Sequence, residues 1–290
     1  MAGGPTTRRR QLGFRLLELR QSKGLTAEQA GELAGVSKAT VSRYERAKSA
    51  VRWNQVEQMC RVYGASDSER EALVELAKQS HKTDEWWVPV ADKLPNPLAV
   101  LIALEHEAAR IFQFAPTVVP GLLQNREYAR AIKLPPTDPL PTADSEGFLD
   151  VRMRRQELLE GAGAPEYHVV LDESVLHRIV GGPEVMRRQL DHLLKRVQAP
   201  HITLQVLPFG AGAYSSAMNS FIVLSGPEPG LDVVYLENHA GSLYLEETGV
   251  CEAFSASFRH LSKEALPPDD SAELITEISR AHLRPQRGIK

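Results

Sequence analysis

The chain has 290 residues, of which 42% are hydrophobic and 24% charged, values typical of a globular protein long enough for two domains. No apolar run approaches the ~20 residues that would span a bilayer, so no membrane partner is expected. Because no apolar segment follows the basic residues near the N-terminus, we expect no secretory signal and a cytoplasmic protein.

Charge is distributed unevenly along the chain. Residues 1–64 contain 12 Lys and Arg residues against 5 Asp and Glu residues, although the net charge of the whole chain is −3. The remainder is therefore acidic. A basic lobe on an acidic body indicates a nucleic-acid contact confined to the N-terminal part.

Residues 8–80 have a helical pattern throughout. Leucines at helical spacing, from Leu12 onward, predict a first helix that ends at Gly24. Thr26 and Ser37 are suited to cap two shorter helices, 27–34 and 37–46, with their hydroxyl oxygens. Two more helices are predicted, one over residues 51–63 and one that begins at Ser66-Asp67.

Three residues around the second and third helices indicate a helix-turn-helix, in which two helices cross steeply and the second enters the major groove of DNA. Gly31 supplies a small residue where the helices cross, and Gly35 suits a tight turn with positive φ. Val41 is expected to fill the junction. This spacing, inside a basic helical segment, predicts a DNA-binding domain with residues 37–46 as its recognition helix.

The remaining chain has the pattern of a mixed α/β domain. The segment 83–89 breaks the helical pattern, so we place an all-α helix-turn-helix domain at residues 1–82 and an α/β domain at 83–290. Helices are predicted over 97–114, 149–160, 183–197 and 268–283, and strands over 168–171, 202–207, 221–224, 233–236 and 242–245. The sheet is thus expected to form largely after residue 165, and the proline-rich segment 133–147 to be an exposed loop.

Several short stretches in the first domain match a known family of regulators. They are Leu12-Gly13, Leu19-Arg20, Gly24-Leu25-Thr26, Leu33-Ala34, Gly35-Val36-Ser37, Thr40-Val41-Ser42-Arg43 and Glu45-Arg46. With these stretches, residues 11–63 resemble the Xre, or lambda-repressor-like, family, in which the start of the recognition helix touches base edges. The resemblance implies a lambda-repressor-like domain that binds a double-stranded DNA operator.

The resemblance also implies which residues read the bases. Lys38 and Ala39 would face the bases, with Ser42 and Arg43 further along the helix. A cation at these positions favours guanine, and the methyl group of Ala39 suits a thymine methyl. For Arg43, a solvated side chain on the helix surface remains the alternative.

Phosphate contacts, which fix position without reading sequence, are implied for Ser37, Arg46 and Lys48, whereas Thr40 suits either role. Many relatives have Gln where this chain has Ala27, so a side-chain phosphate contact is lost there. The backbone N–H groups at that helix start are still able to bind a phosphate.

Two further features concern the end of the recognition helix. The family counterparts of Arg20 and Glu45 commonly form an internal ion pair, so the resemblance implies a structural role for both. The family also favours Gly after Glu-Arg, where this chain has Ala47. Alanine disfavours a left-handed helix cap, so the helix is expected to run on or end differently.

The C-terminal domain contains no recognisable catalytic or metal-binding motif. Nucleophile elbows, phosphate-binding loops and zinc-protease helices are absent from the sequence, and its 9 histidines lack metal-ligand spacing. We therefore expect no enzyme activity, no metal and no cofactor. Cys60 and Cys251 are expected to be buried thiols. An enzyme carried on a DNA-binding head is the alternative.

Stretches of the C-terminal domain extend the resemblance over nearly the whole chain. They include Val119–Gln124, Arg155–Leu159, Val180–Met186, Gln205–Phe209, Val234–Glu237 and Tyr244–Glu246. Together they resemble a group of actinobacterial Xre-family regulators, some antitoxin-like or developmental, often encoded beside a small partner protein. We hypothesise a homodimeric regulator whose recognition helices, ~34–36 Å apart, read a palindromic operator. Its C-terminal domain would mediate dimerisation and sense an effector or the protein of a neighbouring gene.

Overall fold

The computed structural model describes residues 7–46, 49–79, 96–133, 145–214, 219–226, 232–238 and 241–282. The chain forms two compact units, residues 1–104 and residues 105–290. The domain boundary predicted between residues 82 and 83 lies outside the described residues, as does the segment 83–89 on which it rests.

The first unit contains the predicted series of helices. These are α1 (Thr7–Ser22), α2 (Ala27–Ala34), α3 (Lys38–Glu45), α4 (Trp53–Tyr63) and α5 (Asp67–Gln79), and α6 (Asn96–Glu107) runs across the division between the units. Leu12, Leu16, Val56 and Leu73 are buried in the apolar core that α1 to α5 share. Helices as short as α2 and α3 are marginal alone, so this shared core supplies most of their stability.

Local hydrogen bonds define the starts of α2 and α3 as predicted. The N–H of Gln29 donates to Thr26 Oγ1 (3.2 Å) and the N–H of Thr26 donates to Gln29 Oε1 (2.9 Å), which forms a capping box. At α3, the N–H of Thr40 donates to Ser37 Oγ (3.1 Å). The helix ends at Glu45, and Ala47 lies outside the described residues.

The second unit is built on a six-stranded mixed sheet, which confirms an α/β fold after the helical domain. The strands are β1 (Arg110–Ala115), β2 (Glu166–Asp172), β3 (Ile202–Leu207), β4 (Phe221–Ser225), β5 (Val233–Asn238) and β6 (Gly241–Leu245). They lie in the order β3-β2-β1-β4-β5-β6. β1, β2 and β3 are parallel, whereas β4, β5 and β6 pair antiparallel. Long crossovers, which the parallel pairs require, carry the helices between them.

The helix predicted over residues 97–114 is wrong in its second half. α6 ends at Glu107, and β1 follows as a central strand of the sheet, so the sheet begins well before residue 165. Backbone hydrogen bonds of Ala109, just before β1, join the chain to both neighbouring strands of the sheet. The N–H of Ala109 donates to Ser225 O (2.8 Å), and the N–H of Glu166 donates to Ala109 O (2.9 Å). β1 is short and mostly apolar, with Arg110 and Gln113 as its polar residues, and periodicity does not distinguish so short a run from the continuation of a helix.

Helices flank the sheet. They are α7 (Arg126–Lys133), α8 (Ser145–Arg155), α9 (Ser174–His177), α10 (Pro183–Arg196), α11 (Thr248–Glu264) and α12 (Pro268–Ala281). α7 ends at Lys133 and α8 starts at Ser145, so the predicted loop 133–147 is wrong at 133 and at 145–147, while residues 134–144 lie outside the described part. The sequence pattern did not predict α11, which packs its Phe258 against Phe112 of β1 (ring centroids 5.2 Å apart). α12 covers the edge strand β3.

Three expectations about special groups can be compared with the described residues. Cys60 and Cys251 are buried and are not joined in a disulfide, which confirms their prediction as buried thiols. None of the helices described is both long and apolar enough to cross a membrane. Within the same residues, no three His, Cys, Asp or Glu side chains are grouped as a metal site.

Candidate nucleic-acid interface

The junction between α2 and α3 has the geometry that the sequence predicts for a helix-turn-helix. A β-carbon at Gly31 would lie 2.6 Å from Val36 O and 3.2 Å from Lys38 N, so only glycine lets the turn fold back onto α2. Gly35 has φ 68°, the left-handed conformation that glycine adopts without strain. Val41 is fully buried in the junction. All three predictions are confirmed. Together these residues fix the orientation of α3 relative to α2.

Helix α1 braces the far end of α3. The guanidinium of Arg20 donates from Nε and Nη2 to both carboxylate oxygens of Glu45 (2.6 and 3.0 Å), and from Nη1 to Leu25 O (2.6 Å). The hydrogen bond to Glu45 raises the pKa of Arg20. A β-carbon at Gly13 would lie 2.6 Å from Tyr44 O, so α1 approaches α3 closely. The ion pair implied by the family resemblance is thus present.

One surface of α3 faces solvent. Seven of the eight residues predicted to contact DNA are described there: Ser37, Lys38, Ala39, Arg43 and Arg46 are exposed, and Thr40 and Ser42 are partly buried. The eighth, Lys48, lies outside the described residues. Helical spacing places the four predicted base-reading positions on one side of α3, opposite the buried side of the helix. The structure therefore brings them together on an accessible surface.

Hydrogen bonds link three of these side chains into a row along α3. Arg43 Nη2 donates to Thr40 Oγ1 (3.1 Å), and Thr40 Oγ1 lies 2.9 Å from Ser37 Oγ. Either hydroxyl is able to donate in the Ser37–Thr40 bond, since each oxygen already accepts one other hydrogen bond, and the hydroxyl hydrogen that is not used there is available to a phosphate. The bond to Thr40 also restrains Arg43, which favours a positioned side chain over a freely solvated one.

A carboxylate that the sequence analysis did not single out lies beside the first base-reading residue. Glu28, in the first turn of α2, is 3.6 Å from Lys38 Nζ, and both side chains are well exposed. A carboxylate here repels phosphate and draws the ammonium of Lys38 towards α2. Sequence patterns do not show this contact, since the two residues are on different helices.

The start of α4 adds a second cluster that sequence reasoning missed. Gln55 Nε2 donates to Ala34 O (3.1 Å), which holds the beginning of α4 next to the end of α2. Arg52 occupies the cap position without a side-chain cap bond, and Trp53 is 50% exposed. The N–H of Gln55 donates to Asn54 Oδ1 (3.0 Å), but the positive end of the helix and the charge of Arg52 still suit an anion. In the sequence, a tryptophan next to an arginine in a basic segment was the one sign that this helix start could belong to the interface.

The fold and this surface together define the architecture of a helix-turn-helix DNA-binding regulator. Residues 11–73 match a family model described as a helix-turn-helix domain. Residues 98–277 match one described as a domain of unknown function (DUF5753), and because that match covers more than half of the chain, the protein belongs to the DUF5753 family. The comparisons with curated proteins and with solved structures gave no significant match.

Proposed function

We propose that the protein is a sequence-specific transcription regulator of the Xre type that inserts α3 into the major groove of its operator. The observation that carries this proposal is the exposed row of polar and basic side chains on α3, held rigidly between Gly31 at one end and the Arg20–Glu45 pair at the other. Rigid presentation of a helix is what direct readout of bases requires.

The proposed roles of individual residues come from the family resemblance and from their exposure on α3. Lys38 and Arg43 read guanine from the major groove, and Ala39 contacts a thymine methyl. Ser37 and Arg46, at the two ends of α3, bind phosphates and fix the register of the helix on the duplex. These assignments rest on exposure and placement on α3, together with the family resemblance.

For the C-terminal unit we propose a regulatory role without catalysis. Dimerisation through this unit would place two copies of α3 on a palindromic operator, and DNA binding implies action in the cytoplasm. The resemblance to antitoxin-like regulators supports autoregulation and a partner protein from a neighbouring gene. The acidic charge of the chain after residue 64 supports the separation of roles, because an acidic unit does not bind DNA indiscriminately.

The proposal is tested by selecting bound duplexes from a random pool with the full chain. Operator and random DNA are then compared at one salt concentration for the wild type, Lys38→Ala and Arg43→Ala. Arg61→Ala is the matched control, because Arg61 is an exposed arginine of the same unit that pairs with Glu57 on α4.

Losing one base contact costs about 1–3 kcal/mol of discrimination, so each α3 variant should lose about 5- to 150-fold in the ratio of operator to random affinity. Arg61→Ala should keep the wild-type ratio. If no sequence is enriched from the pool, or if both α3 variants discriminate as well as the control, the proposed function or its site is wrong.

A further inference from the structure

The loop between β1 and α7 is held rigidly by buried glutamines. Gln156 Nε2 donates to Gly121 O (2.8 Å) and to Gln124 O (2.7 Å). Gln124 Nε2 donates in turn to Val119 O (2.7 Å), and Gln189 Nε2 donates to Leu123 O (2.7 Å). These bonds fix residues 119–124 against the end of α8, beside two of its three arginines, Arg155 and Arg152.

The first of these, Arg155, is only 7% exposed. It donates from Nη2 and Nε to the two carboxylate oxygens of Glu105 (2.7 and 2.5 Å), and Glu105 is itself completely buried. Its Nη1 has no hydrogen-bond partner among the described residues. A β-carbon at Gly121 would lie 3.5 Å from Nη1, 3.7 Å from Nη2 and 3.8 Å from Cζ, in van der Waals contact with the guanidinium, which glycine leaves uncovered here.

Arg152 lies one helical turn earlier on the same side of α8. Its Nη1 donates to the neutral amide oxygen of Gln124 (2.6 Å), and its guanidinium lies 5.3 Å from the ring centre of Phe148. Within the described residues it forms no ion pair. Burial and the repulsion from Arg155 lower the pKa of Arg152 to about 10, although Glu237 and Glu105 act against this.

The cluster therefore holds two guanidinium groups and one fully buried carboxylate. Arg155 is paired with Glu105, whereas Arg152, which is partly buried, has only the neutral amide oxygen of Gln124 as a hydrogen-bond acceptor, so a ligand anion is able to supply a closer counter-charge. Guanidinium groups with free, coplanar N–H donors match the paired oxygens of carboxylates and phosphates. Glu237 is exposed on β5 and is not hydrogen-bonded to either arginine in the described structure.

We propose that Arg152 and Arg155, with the glutamine-braced loop at Gly121, form a binding site for the carboxylate or phosphate group of a small-molecule ligand. This claim concerns residues 105–290 alone. That the ligand is the effector that controls DNA binding rests on the proposed function.

The test uses the full chain and three probes at equal ionic strength: inorganic phosphate, acetate and chloride. Binding is measured by calorimetric titration and by the unfolding midpoint. The variants are Arg152→Met, which removes the charge, and Gly121→Ala, which keeps both arginines but fills the open side of Arg155. Arg154→Met is the matched control, because Arg154 is an exposed neighbour on the same helix.

The wild type and Arg154→Met should bind phosphate or acetate, and the better of the two identifies the group that the site takes. Arg152→Met and Gly121→Ala should weaken this binding at least about tenfold. Without an anion, Arg152→Met should unfold at about the wild-type midpoint, because removing a partly buried charge offsets the loss of its hydrogen bond to Gln124 Oε1.

The proposal is overturned if the wild type binds neither anion beyond chloride, or if Arg152→Met binds as the wild type does. A lower unfolding midpoint or failure of Arg152→Met to fold would assign Arg152 to structure, and the wild-type titration and Gly121→Ala would then decide the matter. DNA is absent from these measurements, so failure here leaves the proposed function intact.

Discussion

Replacing Gly31 by alanine tests whether the α2–α3 junction sets the position of the recognition helix. The new β-carbon would lie 2.6 Å from Val36 O and 3.2 Å from both Lys38 N and the carbonyl carbon of Ser37. Overpacking of this kind costs about 1–3 kcal/mol. Alanine recovers up to about 1 kcal/mol as a better helix former, so we expect a net loss of about 1–2 kcal/mol of unfolding free energy.

The assay combines urea unfolding with hydrogen exchange of peptides that cover residues 27–46, which assigns the loss to this junction. Gly249→Ala is the control, because Gly249 lies in helix α11 and a β-carbon there meets nothing within 4 Å. Gly31→Ala should also lose operator binding, since α3 must move. Wild-type stability and wild-type operator affinity in Gly31→Ala would refute the reasoning.

Three further predictions concern charge. Arg20→Met and Glu45→Met should each lose about 3–5 kcal/mol of unfolding free energy, because each variant leaves one charge of the pair without its partner, and the two side chains are only 12% and 5% exposed. The double variant should lose less than the sum of the two single losses. Glu28→Gln removes the carboxylate beside Lys38, so it should strengthen binding to random duplex DNA up to about fivefold. The affinity is measured across a series of salt concentrations, and an unchanged affinity would show that Glu28 does not affect DNA binding. Burial lowers the pKa of His168, so the unfolded chain takes up the proton first as the pH falls. The unfolding free energy should therefore decrease as the pH drops below about 6.5, and His168→Gln should reduce this decrease. An unchanged pH dependence in His168→Gln would show that His168 does not cause it.

The helix-turn-helix was predictable because its signals are local. Gly31, Gly35 and Val41 are within a short segment, and each has a strict geometric requirement that only one or a few residue types meet. Thr26 and Ser37 cap their helices through bonds to residues three positions away. Patterns of this kind can be recognised in the sequence without knowledge of the rest of the fold.

The sheet was predicted less completely because long-range pairing decides it. β1 is a short, mostly apolar run that directly follows an apolar helix, and its bonds to β2 and β4 make it a strand. Helix α11 begins without a side-chain cap at Glu247 and contains Gly249 in its first turn, so start signals are weak. Its place in the structure comes from packing against Phe112.

Among the charge pairs, too, some were predictable from the sequence and others were not. Arg20 and Glu45 were recognised through the family resemblance, whereas Glu28 beside Lys38 joins residues on separate helices and has no sequence signature. The pairing of Arg155 with Glu105 spans 50 positions. Contacts of this range follow from the fold and could not have been derived from spacing.

Affinity cleavage from the recognition helix tests the central claim most directly. Cys60 and Cys251 are buried, and burial raises the pKa of the Cys60 thiol to about 12, so a new exposed cysteine is labelled selectively. A DNA-cleaving iron chelate on Ala39→Cys should cut the selected operator at one localised major-groove position. The same reagent on Ser68→Cys, exposed on α5, should not. Equal or unlocalised cutting from the two positions would contradict the placement of α3 in the groove.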